Sequence, residues 1–355
     1  MFSYTLADVS GILSSYGIHP MSIKVEELQK YDREGKGGRL RVIVKVITEV
    51  EKPNRSSQFV IRIKDERDIS EIEFESQCRL SETLAENGIP TARILPFTAE
   101  KRFVQRRQID GQVVFVTVET FMENELHSVD VEIAEKMGVL LARSHNVSEK
   151  MNCHVYNRGI FDPFGDNDLF SASDYISLGN RMTGENLRLH QIIVGEYQRI
   201  MKEIEPLRKR ARYAVQGDLS DCNCFQTPSG EIGFFDYNNA ADSILFCDAI
   251  MQGLFVARLM DYPKSRSFSD ADLICAFFRG YCSERPFNKE DVGYYSLLRS
   301  IIEAFWADDI GWSSDIGWGS CKPDALYPLV EQGNTEAIHR KLECILSKLT
   351  DKYQI

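Results

Sequence analysis

Apolar and polar residues alternate in two early segments, "LRVIVKVITEV" (40–50) and "QFVIRIK" (58–64), separated by "EKPNRSS". Period-two alternation around a Pro/Asn/Ser cluster predicts two strands joined as a hairpin. In the second strand it places Val60, Arg62 and Lys64 on one face and Phe59, Ile61 and Ile63 on the other. Ahead of the hairpin, "DREGKGGR" (32–39) supplies glycines for a mobile turn after an initial strand near Glu26. Behind it, "DISEIEFESQCRLSETLAENGIP" carries Ile69, Ile72, Leu80 and Leu84 and ends in Gly88 and Pro90, the pattern of an amphipathic helix with a stop. At 100° per residue Glu73 and Gln77 fall on the inward stripe with Leu80 and Leu84, and Glu75 points nearly opposite. "RFVQRRQ" and "VVFVTVETF", joined around "IDGQ", add two more strands. The expectation is a small antiparallel sheet with one helix.

Past "MENEL" the period changes. "DVEIAEKMGVLLARSH" spaces Ile133, Met137, Leu141 and His145 four apart behind Asp130, a suitable N-cap. Further helices are expected from 185 to about 212, over 271–281 and 294–306, and in "NTEAIHRKLECILSKL" near the end. One stretch interrupts them: "YAVQGDLSDCNCFQTPSGEIGFFDYNNA" (213–240) reads as short strands around turns. A chain of 355 residues exceeds what one core usually supports. The change of pattern divides it into 1–122 and 123–355.

Composition narrows the partners. A net charge of −11 lacks the clustered Lys and Arg that displace counterions from duplex nucleic acid, so no nucleic-acid partner is expected. Residues 1–125 hold 18 basic and 20 acidic side chains, so most of the excess acid lies in the second part, where it would attract positive charge. Nine cysteines, odd in number and without a Cys-x-x-Cys pair, suit a reducing cytoplasm and no disulfide framework. Cys222 and Cys224 flank Asn223 but read as small packing residues. No basic, apolar leader opens "MFSYTLADVS", and no run approaches the ~18 apolar residues of a membrane span.

The interrupting stretch carries the chemistry. Asp218 and Asn223 lie five apart across a loop, and Asp236 follows a second short strand, so a hairpin-like return brings all three to one edge. Phosphoryl transfer needs a carboxylate to orient or deprotonate the attacking hydroxyl, and oxygen ligands for the magnesium ions that bridge the phosphates. Asp218 suits the base, and Asn223 and Asp236 suit the metal.

"QGDLSDCNCF … GEIGFFDYNNA" resembles the catalytic segment of the aminoglycoside phosphotransferase and choline kinase family: His-Gly-Asp, five residues to Asn, then an apolar strand ending in Asp. The resemblance runs from about 32 to 286. It implies an α+β, two-lobed, protein-kinase-like fold with a nucleotide-binding lobe, a larger and mainly helical catalytic lobe, ATP and Mg²⁺ as cofactors, and transfer of the γ-phosphate to a hydroxyl. "FVIRIKD" resembles the strand whose basic residue touches the α and β phosphates; the family position falls on Arg62, and Lys64 lies on the same face. That residue pairs with a helix Glu in the family. Glu73 is the choice here, with Glu75 and Gln77 as alternatives. "VETFMENE" resembles the inter-lobe linker, where backbone groups of Thr120, Phe121 and Met122 would meet the adenine. The resemblance makes Asp248 a support of the catalytic loop, while His145 reads as a packed core residue.

One position departs from the family pattern: its His stands as Gln216, an amide that still donates and accepts. The departure keeps open a nucleotide-binding pseudokinase without turnover. A Ser/Thr protein kinase is the other alternative, against which stands the lack of an Ala-Pro-Glu segment after Asp236. The expected acceptor is a small-molecule hydroxyl compound, aminoglycoside-like, choline-like or amino-acid-like. Asp162, Asp166 and Asp168 beside Phe164, and Asp308 and Asp309 beside Trp306 and Trp312, could hold a cationic group by charge and cation–π contact.

Overall fold

The computed structural model describes residues 2–32, 38–49, 58–97, 102–157, 162–165, 172–258, 267–305 and 336–346. Five strands form one antiparallel sheet: β1 (Ser22–Tyr31), β2 (Arg41–Glu49), β3 (Gln58–Asp65), β4 (Gln105–Ile109) and β5 (Gln112–Thr120), in the order β1-β2-β3-β5-β4. The alternation read from sequence decides the two faces. Val42, Val44, Val46, Ile61, Ile63, Val114, Val116 and Val118 share one buried cluster with Val9, Ile12 and Leu13 of a helix, α1 (Leu6–Ser15). The sequence reading lacked α1. Its start is nonetheless marked by a capping box, in which Thr5 accepts from Asp8 N and the Asp8 carboxylate accepts from Thr5 N.

Helix α2 (Glu71–Glu86) begins at its Ser70 cap and sends Phe74 and Cys78 to a small cluster with Phe115. Ile72 is not on the inward stripe; it is 70% exposed, because 200° of helical rotation separates it from Phe74. Leu80 and Leu84 join the core of the second lobe, so α2 is rooted in both.

The second lobe holds α3 (Val131–Lys150), α4 (Ala172–Ser177), α5 (Gly184–Glu203), α6 (Leu245–Arg258), α7 (Asp270–Glu284), α8 (Lys289–Ala304) and α9 (Glu336–Leu346). Two small strand pairs interrupt them, β6 (Tyr213–Val215) with β9 (Ala241–Ser243), and β7 (Cys224–Gln226) with β8 (Ile232–Phe234). Asp130 caps α3 as expected, accepting from Ile133 N. Helix α5 stops at Glu203, short of the expected end, because Pro206 lacks the N–H that an α-helix needs there; a 3₁₀ turn, Glu205–Lys209, follows. Helix α8 starts earlier than expected, at an Asn288/Asp291 capping box. No helix among the described residues is long and apolar enough to cross a membrane.

Helices α3 and α7 cross at two glycines. A Cβ on Gly280 would lie 2.0 Å from Glu135 O, and one on Gly138 would lie 2.0 Å from Phe277 O. Neither backbone can move alone. Gly280→Ala is expected to destabilise the chain by about 3 kcal/mol in urea unfolding. Gly293→Ala in α8, where a Cβ meets nothing within 4 Å, is expected to be neutral or stabilising by up to ~1 kcal/mol.

Candidate active site

Backbone geometry makes the site before side chains do. Gly217 has φ +81°, and a Cβ there would sit 2.3 Å from Asn239 O, so the loop carrying Asp218 lies directly against the segment that follows Asp236. Asp236 itself has φ +61°, a left-handed conformation that Asp tolerates better than most residues. The β7–β8 hairpin then returns the chain, and Phe235 N donates to Asn223 O at 2.9 Å.

Gln216 ties the two segments together. Its amide nitrogen donates to Asp236 O (2.8 Å) and Phe235 O (3.2 Å), and its Oε1 accepts from Asp218 N (2.8 Å). Asn223 Nδ2 donates to Asp218 O at 3.1 Å. The loop is braced from behind as well: Leu219 N donates to Gln252 Oε1, Gln252 donates to Asp248, and Asp248 meets His145, which in turn meets the Tyr281 hydroxyl. His145 and Asp248 thus sit in a buried polar chain behind the loop, and Gln252 is a link in it that sequence reasoning missed.

Asp218, Asn223 and Asp236 converge. Asn239 Nδ2 donates to Asp218 Oδ2 at 2.8 Å, and Oδ1 of the same carboxylate is buried with no hydrogen-bond partner among the described residues. Burial, then the charge of Asp236, pushes the Asp218 carboxyl up to about 6, against the hydrogen bond of Asn239 and the lowering influence of nearby Ser220 and Asn223. Asp236 goes the other way. Burial alone would raise it, but the Arg62 and Arg41 guanidiniums outweigh that and hold it well below the usual carboxylate range. Arg41 Nη2 lies 2.6 Å from Asp236 Oδ2, and Arg62 Nη1 lies 3.2 Å from the same oxygen.

Arg62 is anchored on its other side by Glu119 of β5, at 2.8 Å. Its carboxylate partners are therefore Glu119 and Asp236, and none of the three α2 candidates pairs with it. Glu75 accepts from Phe103 N and Val104 N and pairs with Arg79, and Gln77 donates to Asn238 O. Glu73 is half-buried and pushed up by burial, although Lys64 attracts it. Burial, then the repulsion of Arg41, brings Lys64 down to about 7, with its Nζ 4.1 Å from the centre of the Phe74 ring.

In the linker, Thr120 N donates to Arg93 O and Phe121 N to Gln58 O, and Lys45 Nζ lies 3.7 Å from the centre of the Phe121 ring. Of the expected acceptor-site residues only Asp162 and Phe164 are described. Asp162 pairs with Arg212 at 3.0 Å and accepts from Phe164 N. Asp166, Asp168, Trp306, Asp308, Asp309 and Trp312 lie outside the described residues.

The donor set suits a hard divalent cation: carboxylate oxygens of Asp236, the Asn223 amide oxygen, and the buried Asp218 Oδ1 nearby. Among the described residues no group of three or more His, Cys, Asp or Glu is placed to hold a metal ion.

Two lobes, an antiparallel sheet with its own helix, and a loop-and-hairpin carrying Asp, Asn and Asp define the protein-kinase-like fold of small-molecule phosphotransferases. Comparison with solved structures gives the same architecture. An amicoumacin kinase, hAmiN, bound to AMP-PNP, Ca²⁺ and its ligand is 14% identical and superposes with a TM-score of 0.55 over 90% of this chain and 87% of that one. A microcompartment-associated aminopropanol kinase is 14% identical, with a TM-score of 0.56 over 97% of each chain. Spectinomycin phosphotransferase APH(9)-Ia, in complex with ADP and spectinomycin, is 14% identical, with a TM-score of 0.54 over 97% of this chain and 98% of that one. No protein-family model matches the sequence, and no curated protein matches it.

Proposed function

We propose that this protein is an ATP-dependent phosphotransferase of the aminoglycoside phosphotransferase and choline kinase family, moving the γ-phosphate to a hydroxyl of a small molecule. The observation that carries this reading is the buried Asp218 carboxylate, whose Oδ1 has no hydrogen-bond partner among the described residues, on a loop tied to Asn223 and close to Asp236, which pairs with Arg62. Residues 1–122 hold the nucleotide and residues 123–355 the acceptor.

Asp218 accepts the acceptor's proton at Oδ1 while Asn239 holds Oδ2, so only one oxygen is presented. Arg62, fixed by Glu119, directs its guanidinium at the phosphates, and Lys64 lies beside it on the same face of β3. Mg²⁺ held by Asn223 and Asp236 would supply neutralisation of the phosphate charge. Thr120 and Phe121 already commit their N–H groups, so of the three expected residues Met122 is the one whose amide would meet adenine. A cationic hydroxyl acceptor fits the acidic second part and the phosphotransferase neighbours. It is sought by a coupled ATP-consumption screen across aminoglycosides, choline, ethanolamine, aminopropanol and homoserine. A cytoplasmic setting fits the free cysteines.

Asp218 works as a base only when ionised. With its carboxyl near 6, kcat/KM is expected to fall about tenfold per pH unit below ~6 and to level off above it. A flat profile from pH 5 to 8 contradicts the assignment. The pseudokinase alternative is separated by thermal melting with ATP, with and without Mg²⁺: metal-dependent stabilisation supports the kinase, and its absence the binding module.

A further inference from the structure

Arg41 stands outside every role assigned so far. It opens β2, immediately after the glycine-containing segment, and pairs across the sheet with Lys64, while its neighbour two along, Ile43, pairs with Arg62. All three cations thus occupy one face of two adjacent strands. Like charges directly opposite on a sheet are unfavourable, and Lys64 is lowered partly by Arg41. Among the described residues two carboxylates form ion pairs with this cluster, Glu119 and Asp236, and Glu119 is taken by Arg62. Both guanidiniums meet at a single oxygen, Asp236 Oδ2, whereas Oδ1 accepts from Asn238 N at 3.1 Å. Among the described residues Arg41 Nε has no hydrogen-bond partner, although it is buried.

A carboxylate oxygen shared by two guanidiniums is a poor ligand for a metal ion, because each cation must yield it. If Asp236 turns to a divalent ion, Arg41 loses that ion-pair partner. A triphosphate carries about −4, the anionic complement to this cluster once a divalent ion has joined it.

We propose that Arg41 is a second phosphate-binding arginine, which exchanges its pairing with Asp236 for the β and γ phosphates when a divalent ion takes that carboxylate. No bond is made or broken; the arginine exchanges one anionic partner for another. The inference rests on the nucleotide-binding reading above.

The test uses the full chain and three proteins: wild type, Arg41→Gln and Arg41→Lys. Binding of ATP with Mg²⁺, binding of adenosine, and binding of Mn²⁺ alone are each titrated. Arg41→Gln is expected to weaken MgATP at least tenfold, leave adenosine within twofold, and tighten Mn²⁺ alone severalfold because Asp236 has lost a competitor. Arg41→Lys is expected to recover part of the MgATP affinity. An arginine that only props the fold would lower the melting temperature without tightening Mn²⁺. Equal MgATP affinity in wild type and Arg41→Gln, or unchanged or weaker Mn²⁺ binding in the variant, overturns the proposal and leaves the kinase reading standing. A wild type that binds adenosine and ATP equally, with no effect of Mg²⁺, overturns both.

Discussion

Asp218→Asn is expected to lower kcat by about 10³-fold and, in the same protein, to raise the melting temperature. The first effect follows from the proposed role of Asp218 as the base that takes the acceptor's proton. An amide at this site still accepts a hydrogen bond but cannot take up the proton. The second follows from linkage. The carboxyl of Asp218 in the folded chain, at about 6, lies above the ordinary value near 4, so the folded state holds its proton more tightly than the unfolded state does. Stability contributed by the protonated form is present at low pH and is lost as pH rises from ~4 through ~6. Above that, keeping the carboxylate ionised beside Asp236 costs folding on the order of 2–3 kcal/mol. The neutral amide removes that cost, and at pH 8 the variant should melt roughly 2–5 °C higher. Binding of MgATP should stay within about threefold, because Asn223 and Asp236 remain. Matched measurements of turnover and melting at pH 5 and pH 8 check both parts, since the stability gain should shrink at pH 5. A variant that loses activity and melts lower at pH 8 contradicts the electrostatic account of this site.

Asp236→Asn is expected to abolish turnover equally, by about 10³-fold or more, but with the opposite effect on stability. Here the two arginines hold the carboxyl below its ordinary range, so its contribution is present at neutral pH and fades as pH falls through the acid range. The amide leaves Arg41 without its ion pair and Arg62 with Glu119 alone. Loss of one partner from a buried ionic cluster costs about 2–4 kcal/mol. The variant should melt lower at pH 7 and should lose the Mg²⁺-dependence of ATP binding. Two neighbouring aspartates thus give inactive variants that diverge in stability. An active site assembled by nearby opposite-sign fields requires that divergence, and a general loss of folding does not produce it.

Much of the frame is legible in single segments. Alternation in 40–50 and 58–64 assigns the strands and their buried faces, and the core receives Val42, Val44, Val46, Ile61 and Ile63 as that pattern requires. Asp130 and Pro206 mark a helix start and a helix end by chemistry confined to one turn. The five-residue interval from Asp218 to Asn223, and the strand before Asp236, suffice to nominate the polar triplet. Helix α1 was also marked locally, by its Thr5/Asp8 box, but the box precedes a segment of ten residues whose apolar positions Val9, Ile12 and Leu13 make a short stripe.

The partners of that triplet are another matter. Arg41 is 195 residues from Asp236, and Arg62 is 57 from Glu119. Each is a single charge on an alternating strand, a pattern shared by any solvated sheet face. Helical geometry places Glu73 on a stripe pointing inward, yet it does not say what lies opposite; the adjacent strand β5 puts Glu119 closer to Arg62 than α2 puts any carboxylate. For Arg62, therefore, the family pattern of a helix Glu does not transfer by position, whereas Glu73 is drawn by Lys64.

By itself the sequence determined the sheet strands and most of the helices, the inward faces of β2 and β3, and which three side chains bear oxygen at one loop and hairpin, because all of these depend on periodicity and contacts within a few residues. Only the tertiary structure decided which cations answer Asp236, which amide holds Asp218 Oδ2, and why one carboxylate titrates high and its neighbour low. Those properties arise from burial and from charges brought together across the fold, where strands far apart in the chain meet, and a low-dielectric interior makes separations of about 3 Å decisive.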